Sequence, residues 1–228
     1  MRIFLFVAGL SSLTGCQPLS LPVRLTQETA PVTAGASTAM IYRLDAAQTD
    51  IRFLVYRTGP LARLGHNHVI SAHAVSGSVF VPPQREASSF ELSIPVQHLR
   101  VDDRRARQEE GEAFSSQPSE ADIEGTRQNM LGTGVLDLPR YPIITVTGRL
   151  ASAEPSPTAQ FTIRLKGQSA RGIVPVELVI QEDFLTISGT FELSHEELGL
   201  EPFSVMMGAL RVADLITFKF RITATPQR

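Results

Sequence analysis

Ile216-Thr217-Phe218-Lys219-Phe220-Arg221-Ile222-Thr223, close to the C-terminus, decides the fold class. Apolar and polar residues alternate through the whole stretch. Successive side chains of a strand point to opposite faces, so Ile216, Phe218, Phe220 and Ile222 share a buried face and Thr217, Lys219, Arg221 and Thr223 a solvated one. Moving outward, the same period recurs. Ile51, Phe53 and Val55 alternate with Arg52, Leu54 and Tyr56; Val75, Gly77, Val79 and Val81 with Ala74, Ser76, Ser78 and Phe80. Phe90, Leu92, Ile94 and Val96 form one face of another run, as do Phe161, Ile163 and Leu165. Leu185, Ile187, Phe191 and Leu193 share a face as well. About eight such runs, separated by Gly, Pro, Ser and Asp, predict an all-β, antiparallel sandwich or barrel with one apolar face per strand.

Two segments break the alternation. Residues 98–118, HLRVDDRRARQEEGEAFSSQP, are dense in charge and small residues and read as a solvated loop. From Ser119 the segment SEADIEGTRQNML reads as a short helix, with Ser119 as cap, Asp122 reaching back, and Ile123, Met130 and Leu131 near one face. A second short helix is predicted at SHEELGL, from Ser194 to a stop at Gly199 before Pro202. The expectation is therefore about eight strands with one or two short helices.

The N-terminus is of another kind. Met1-Arg2, the apolar run Ile3–Leu10 and the residues up to Gly15 have the order of an export signal, and the run is too short to span a bilayer. Leu13-Thr14-Gly15-Cys16 resembles the lipobox of bacterial lipoproteins. That resemblance implies acylation of the Cys16 thiol and cleavage before it, leaving residues 1–15 as signal peptide. Cys16 is the single cysteine, so an internal disulfide is excluded. Gln17 follows it, which by the enterobacterial sorting pattern points to the outer membrane, facing the periplasm. Residues 16–39, rich in Thr, Ala, Pro and Ser, read as a flexible tether or else as an ordered arm, and 40–228 as the folded domain. A formal net charge of -2 argues against a broad nucleic-acid surface and gives no reason to expect electrostatic attachment to anionic lipid.

The order of segments resembles the YceI-like family over roughly residues 41–225. YRLDAAQTDIRFLV is similar to its opening strand. Asn129-Met130-Leu131 followed by LDLPRYPIITVTG is similar to its helix and "Tyr-Pro" strand, and GLEPFSVMMGALRVADLITFKFRITA to its closing module. The resemblance implies a lipocalin-like β-barrel, lengthened, with an elongated apolar interior. It also implies an exported, non-enzymatic protein that holds an isoprenoid or quinone-like ligand. On that reading Phe53, Val55, Leu185, Ile187, Phe218 and Phe220 line the interior, whether it is hollow or filled. The chain departs from the family after its first strand, where TGPLARLGHNHVISAH stands in place of a loop and "Val-x-Gly-x-Phe".

That departure holds the one constellation with chemical content. On a strand His66 and His68 point the same way, about 6–7 Å apart. Three roles are open to them: anchoring a loop by hydrogen bonds, giving hydrogen bonds to a phosphate or quinone oxygen at a barrel mouth, or binding a divalent metal with a third ligand. His73 should face away, while His98 and His195 are distant in sequence but can be brought near by the fold, and His195 or a carboxylate would be the third ligand of a metal. Arg57 and Arg63 flank the loop and are the candidates for an anionic head group. The run Asp102–Arg107 mixes both signs and reads as solvated. Met206 and Met207 read as core filling. No Gly-x-Ser-x-Gly, HExxH or phosphate loop is present.

Overall fold

The computed structural model describes residues 39–152 and 156–227. The signal, the lipobox and all but the last residue of the tether lie outside the described residues.

Thirteen strand segments form the sheet among the described residues. In chain order they are β1 (Met40–Leu44), β2 (Asp50–Thr58), β3 (His68–Ala72), β4 (Ser76–Val81), β5 (Ser89–Pro95), β6 (Leu99–Val101), β7 (Ile143–Ser152), β8 (Thr158–Leu165), β9 (Gln168–Pro175), β10 (Glu177–Ile180), β11 (Leu185–Ser194), β12 (Ser204–Val205) and β13 (Leu210–Pro226). Pairing reduces them to eight long strands, four of them bent in the middle, and the two-residue β12. β1 and β2 both pair with β13, β3 and β4 pair with β2 and β1, and β6 and β5 pair with β3 and β4. β9 and β10 are joined through Val176. Three of the bends have local causes: left-handed backbone at Ala74, a single 3-10 turn at Val96–His98, and Pro175 before Val176.

Every pair is antiparallel, and the order follows the chain. β13, the opening stretch of the sequence analysis, is the keystone: Phe218 faces Phe53 on one side and Phe191 on the other. The sheet therefore curls into a barrel, but one with a seam. β10 pairs with β11 over four residues, whereas β9 lies beside the rest of β11 without a ladder. Pro175 has no N–H to give, and the Val176 N–H turns away to the Pro157 carbonyl at 2.9 Å. The sheet is consequently not closed along its full height.

The inward faces fall where the period put them, whereas Thr217 and Thr223, expected on the solvated face, are buried at 9% and 8% exposure. Ile51, Phe53, Val55, Phe90, Leu92, Phe161, Ile163, Ile187, Phe191, Ile216, Phe218 and Phe220 all look inward. Phe53, Phe161, Phe191, Phe218 and Phe220 form a contiguous aromatic cluster, with centroids 4.6–6.3 Å apart. Glycine makes room for these rings. Gly148 stands opposite Phe90, Gly172 opposite Phe161 and Gly189 opposite Phe220, and a Cβ at any of the three would fall 2.3–2.7 Å from the facing ring. Glycine weakens a strand but lets a large cross-strand neighbour lie over the backbone.

Helix α1 (Arg104–Glu109) packs outside the barrel. It was not anticipated: its charges suggested solvated loop. Ala106 and Phe114 cover the outward-facing Leu54 and Val69. Arg52 of β2 binds Asp50, Glu109 and Glu110, and Lys219 of β13 binds Glu110 at 2.7 Å, which clamps the helix to the wall. Helix α2 (Glu120–Leu131) begins at Ser119 as predicted: the Asp122 N–H donates to the Ser119 hydroxyl, and the Ser119 N–H donates back to Asp122. The predicted helix at SHEELGL is instead one turn, closed by Leu200 N–H to the His195 carbonyl at 2.8 Å and ended by Gly199 in left-handed backbone. Five residues before a forced stop cannot offset the cost of nucleating a helix. Two short helices are thus present, but the second is α1.

Candidate functional site

The barrel has two ends. One carries the segments 59–67, 102–142, 166–167 and 195–209, including both helices. The other carries the short turns 82–88 and 181–184, with Tyr42 opposite Pro226 and Met40 opposite Val81 in the ladder. A cavity of about 370 Å³ occupies the interior. That lies within the roughly 300–1,000 Å³ of small-molecule sites. Its wall runs from Val79, Val81 and Ile180 near the terminal end, past the aromatic cluster, to Met130, Phe203 and Leu210 at the helical end. Phe53, Val55, Leu185, Ile187, Phe218 and Phe220 all belong to this wall.

The polar candidates sit at the helical end, and the structure separates them. Arg57, His66 and His68 line the cavity; Arg63 does not, and stands exposed on a single 3-10 turn at Ala62–Leu64. Arg63, expected at the mouth, is therefore not part of the cavity lining. It lies on the outer side of the turn whose two ends are tied together, with Gly65 N–H on the Ala62 carbonyl at 3.1 Å.

His66 and His68 do share a side, with ring centroids 6.3 Å apart. Asn67, between them, points the other way and holds the loop. Its side-chain oxygen accepts from the Arg57 backbone at 3.0 Å, and its amide donates to the Ala113 carbonyl at 2.8 Å. The Arg57 guanidinium donates to the Gly65 carbonyl. His66 stands 4.0 Å from Asp122 at the start of α2. Thr126, Asn129 and Met130 of that helix lean over the same mouth.

His68 is held by a buried network. Its Nδ1 is 2.6 Å from Asp102 Oδ2, and the Asp102 side chain is wholly buried. Asp102 Oδ1 accepts from Val69 N–H at 2.9 Å and from the Arg107 guanidinium. Arg107 also donates to the carbonyls of Asn67 and Ser116. Burial opposes ionisation of Asp102, but the hydrogen bond and charge of His68, the Val69 amide and Arg107 together outweigh it and lower its pKa. An ionised carboxylate only accepts, so His68 donates through Nδ1 and leaves Nε2 for the cavity. This is how a protein fixes the orientation of a working imidazole.

The network lay beyond sequence reasoning. Asp102 and Arg107 belong to a run whose mixed charges predict solvation, yet each is only 5% exposed. Asp102 has left-handed backbone at the end of β6, which turns its carboxylate inward, towards a partner 34 positions back in the chain. His195 is buried and lines the cavity, with Nδ1 2.7 Å from the Asp214 carbonyl. A metal at His66 and His68 needs a third ligand. Among the described residues no group of three or more His, Cys, Asp or Glu is placed to hold one.

No family model and no curated protein matches the chain. Solved structures do. BcnA of Burkholderia cenocepacia superposes with a TM-score of 0.59 at 17% identity, over 80% of this chain and 99% of that one. A variant of the Campylobacter jejuni YceI protein superposes with a TM-score of 0.51 at 9% identity, over 70% of this chain and 85% of that one. Identities this low speak to architecture alone. Coverage of nearly all of BcnA means that the likeness extends over the whole of that fold. The chain therefore has a YceI-like fold.

Proposed function

We propose that this protein is a non-enzymatic carrier that holds an amphipathic, apolar molecule, isoprenoid or quinone-like, inside the barrel. One observation carries the reading. The cavity wall is apolar through its middle, and most of its polar lining lies at the helical end, where Arg57, His66 and His68 meet it, with Arg85, Ser88 and Ser89 at the other. An apolar chain gains by leaving water for such a wall, at roughly 25 cal/mol per Å² buried. A head group rich in acceptors would meet Arg57 and the two imidazoles. The test is to purify the chain, extract it with organic solvent and analyse the extract by mass spectrometry. An apolar species in near-stoichiometric amount is expected; repeated extracts without one would sink the proposal.

The same reading places the protein at the cell envelope, on the periplasmic side of the outer membrane, held by acylated Cys16. Two or more acyl chains make such attachment stable, where one is marginal. Cys16→Ala is expected to move the chain from the membrane to the soluble fraction. A variant that sediments with membranes as fully as the native chain would remove the anchor from the proposal.

A further inference from the structure

The helical end carries an apolar tip that the fold does not use. β12 and β13 form a short hairpin, Val205 opposite Leu210, and the Met206–Ala209 loop closes it. Met206 and Met207 both have left-handed backbone, at φ 52° and 53°. Asn and Gly reach that conformation with little strain, whereas methionine in two successive positions does not. The result is that both side chains stand in water rather than in the core, where the sequence reading had put them: Met206 is 62% and Met207 106% exposed.

Their neighbours extend the patch. Phe203 and Val205 on the same hairpin are exposed, and so is Leu64 on the 59–65 turn. The two loops are one unit, since Leu61 N–H donates to the Ala209 carbonyl at 2.9 Å and Gly65 packs on Leu210. Phe203, Val205 and Leu210 also line the cavity, so the outer patch runs without a break into the inner wall. Within the two loops the charges are one-sided, although Asp122 of α2 stands beside Leu64 and His66. Residues 57–65 and 201–212 hold Arg57, Arg63 and Arg211 against one acid, Glu201, although the whole chain carries a net charge of -2. Arg57, Arg63 and Arg211 are exposed.

We infer that this tip enters the interface of an anionic phospholipid bilayer, with Leu64, Phe203, Met206 and Met207 among the acyl chains and Arg63 and Arg211 at the phosphates. Exposed apolar side chains flanked by arginine are what such an interface selects. A protein partner would have no need of a patch continuous with the cavity wall. A bilayer does suit it, because docking there sets the mouth of the cavity against an apolar phase without an aqueous gap. The inference depends on the tip and the cavity's shape, not on what the cavity holds.

The chain contains no tryptophan, so a single indole reports its own surroundings. The experiment uses the full chain as Met207→Trp and, as a reference on the outer wall, Ile173→Trp; residue 173 is 63% exposed on β9. Each is mixed with vesicles of equal phosphatidylglycerol and phosphatidylcholine, the latter brominated in its acyl chains. Emission from residue 207 should move to the blue and be quenched about twofold or more, while that from residue 173 changes little. Adding Arg63→Glu and Arg211→Glu should remove most of the quenching at 207. Equal quenching at the two positions, or no change at 207, overturns the inference even if the chain sediments with the vesicles. So does a blue shift that grows with protein concentration in their absence, which would make a second copy the occupant.

Discussion

Replacing Asp102 with alanine is expected to cost the fold about 3–5 kcal/mol, more than any surface change in the chain. Three groups lose their partner at once. The Arg107 guanidinium, on a side chain only 6% exposed, is left as a buried charge without its carboxylate. The Val69 N–H loses its acceptor inside the wall, and His68 loses the bond that orients its ring. Asp102→Asn keeps the shape and one acceptor, so it should cost less, about 1–3 kcal/mol. Urea unfolding at neutral pH measures both. A shift of the midpoint with an unchanged slope marks lost stability rather than a changed unfolded state. If Asp102→Ala lies within about 1 kcal/mol of the native chain, the network does not hold α1 and the His68 loop to the barrel.

The same carboxylate gives the fold an acid limit. Its pKa is lower folded than unfolded, so its contribution is complete above the ordinary aspartate value of 3.8 and is lost as the pH falls below that towards the folded value. The native chain should therefore lose stability in that range more steeply than Asp102→Asn, which has no proton to take up there.

Some of this was legible in the sequence and some was not, for reasons that differ by residue. Ile216 to Thr223 announced its faces because a strand with one side on the core needs only local alternation. The same held for Phe53, Val55 and Ile187. Ser119 and Asp122 were legible because a cap is made within four residues. Asp102 and Arg107 were not, because a buried charge is recognised only by its partner, and here the partners come from β3 and from the segment before α2. Met206 and Met207 failed in the opposite direction. Apolar composition says that a side chain would gain by burial, not that the turn beneath it permits burial. Arg57 and Arg63, six residues apart, looked equivalent until the turn at Ala62–Leu64 sent one to the cavity and the other to the outside. Whether the apolar stripe enclosed space was also hidden, since a filled core and a cavity wall have the same period.

Val146→Trp separates those last two. Val146 lies on β7 between Leu92 and Ile163, and all three line the cavity. An indole there must either enter free volume or displace packed side chains. In a filled interior, overpacking typically costs about 1–3 kcal/mol. In a hollow one the indole takes up space that a ligand would use and gains apolar contact. The expected result is a chain of near-native stability that binds an apolar probe such as N-phenyl-1-naphthylamine at least about tenfold more weakly than the native chain, a change worth roughly 1.4 kcal/mol or more. The indole should emit in the blue, as the one tryptophan in the chain and shielded from water. Ile173→Trp, on the outer wall, should leave probe binding unchanged. Loss of stability together with native probe binding would place the probe elsewhere and make the interior a core. Stability kept and binding lost, with the outer-wall variant unaffected, ties the bound molecule to the space between the aromatic cluster and the mouth formed by Arg57, His66 and His68.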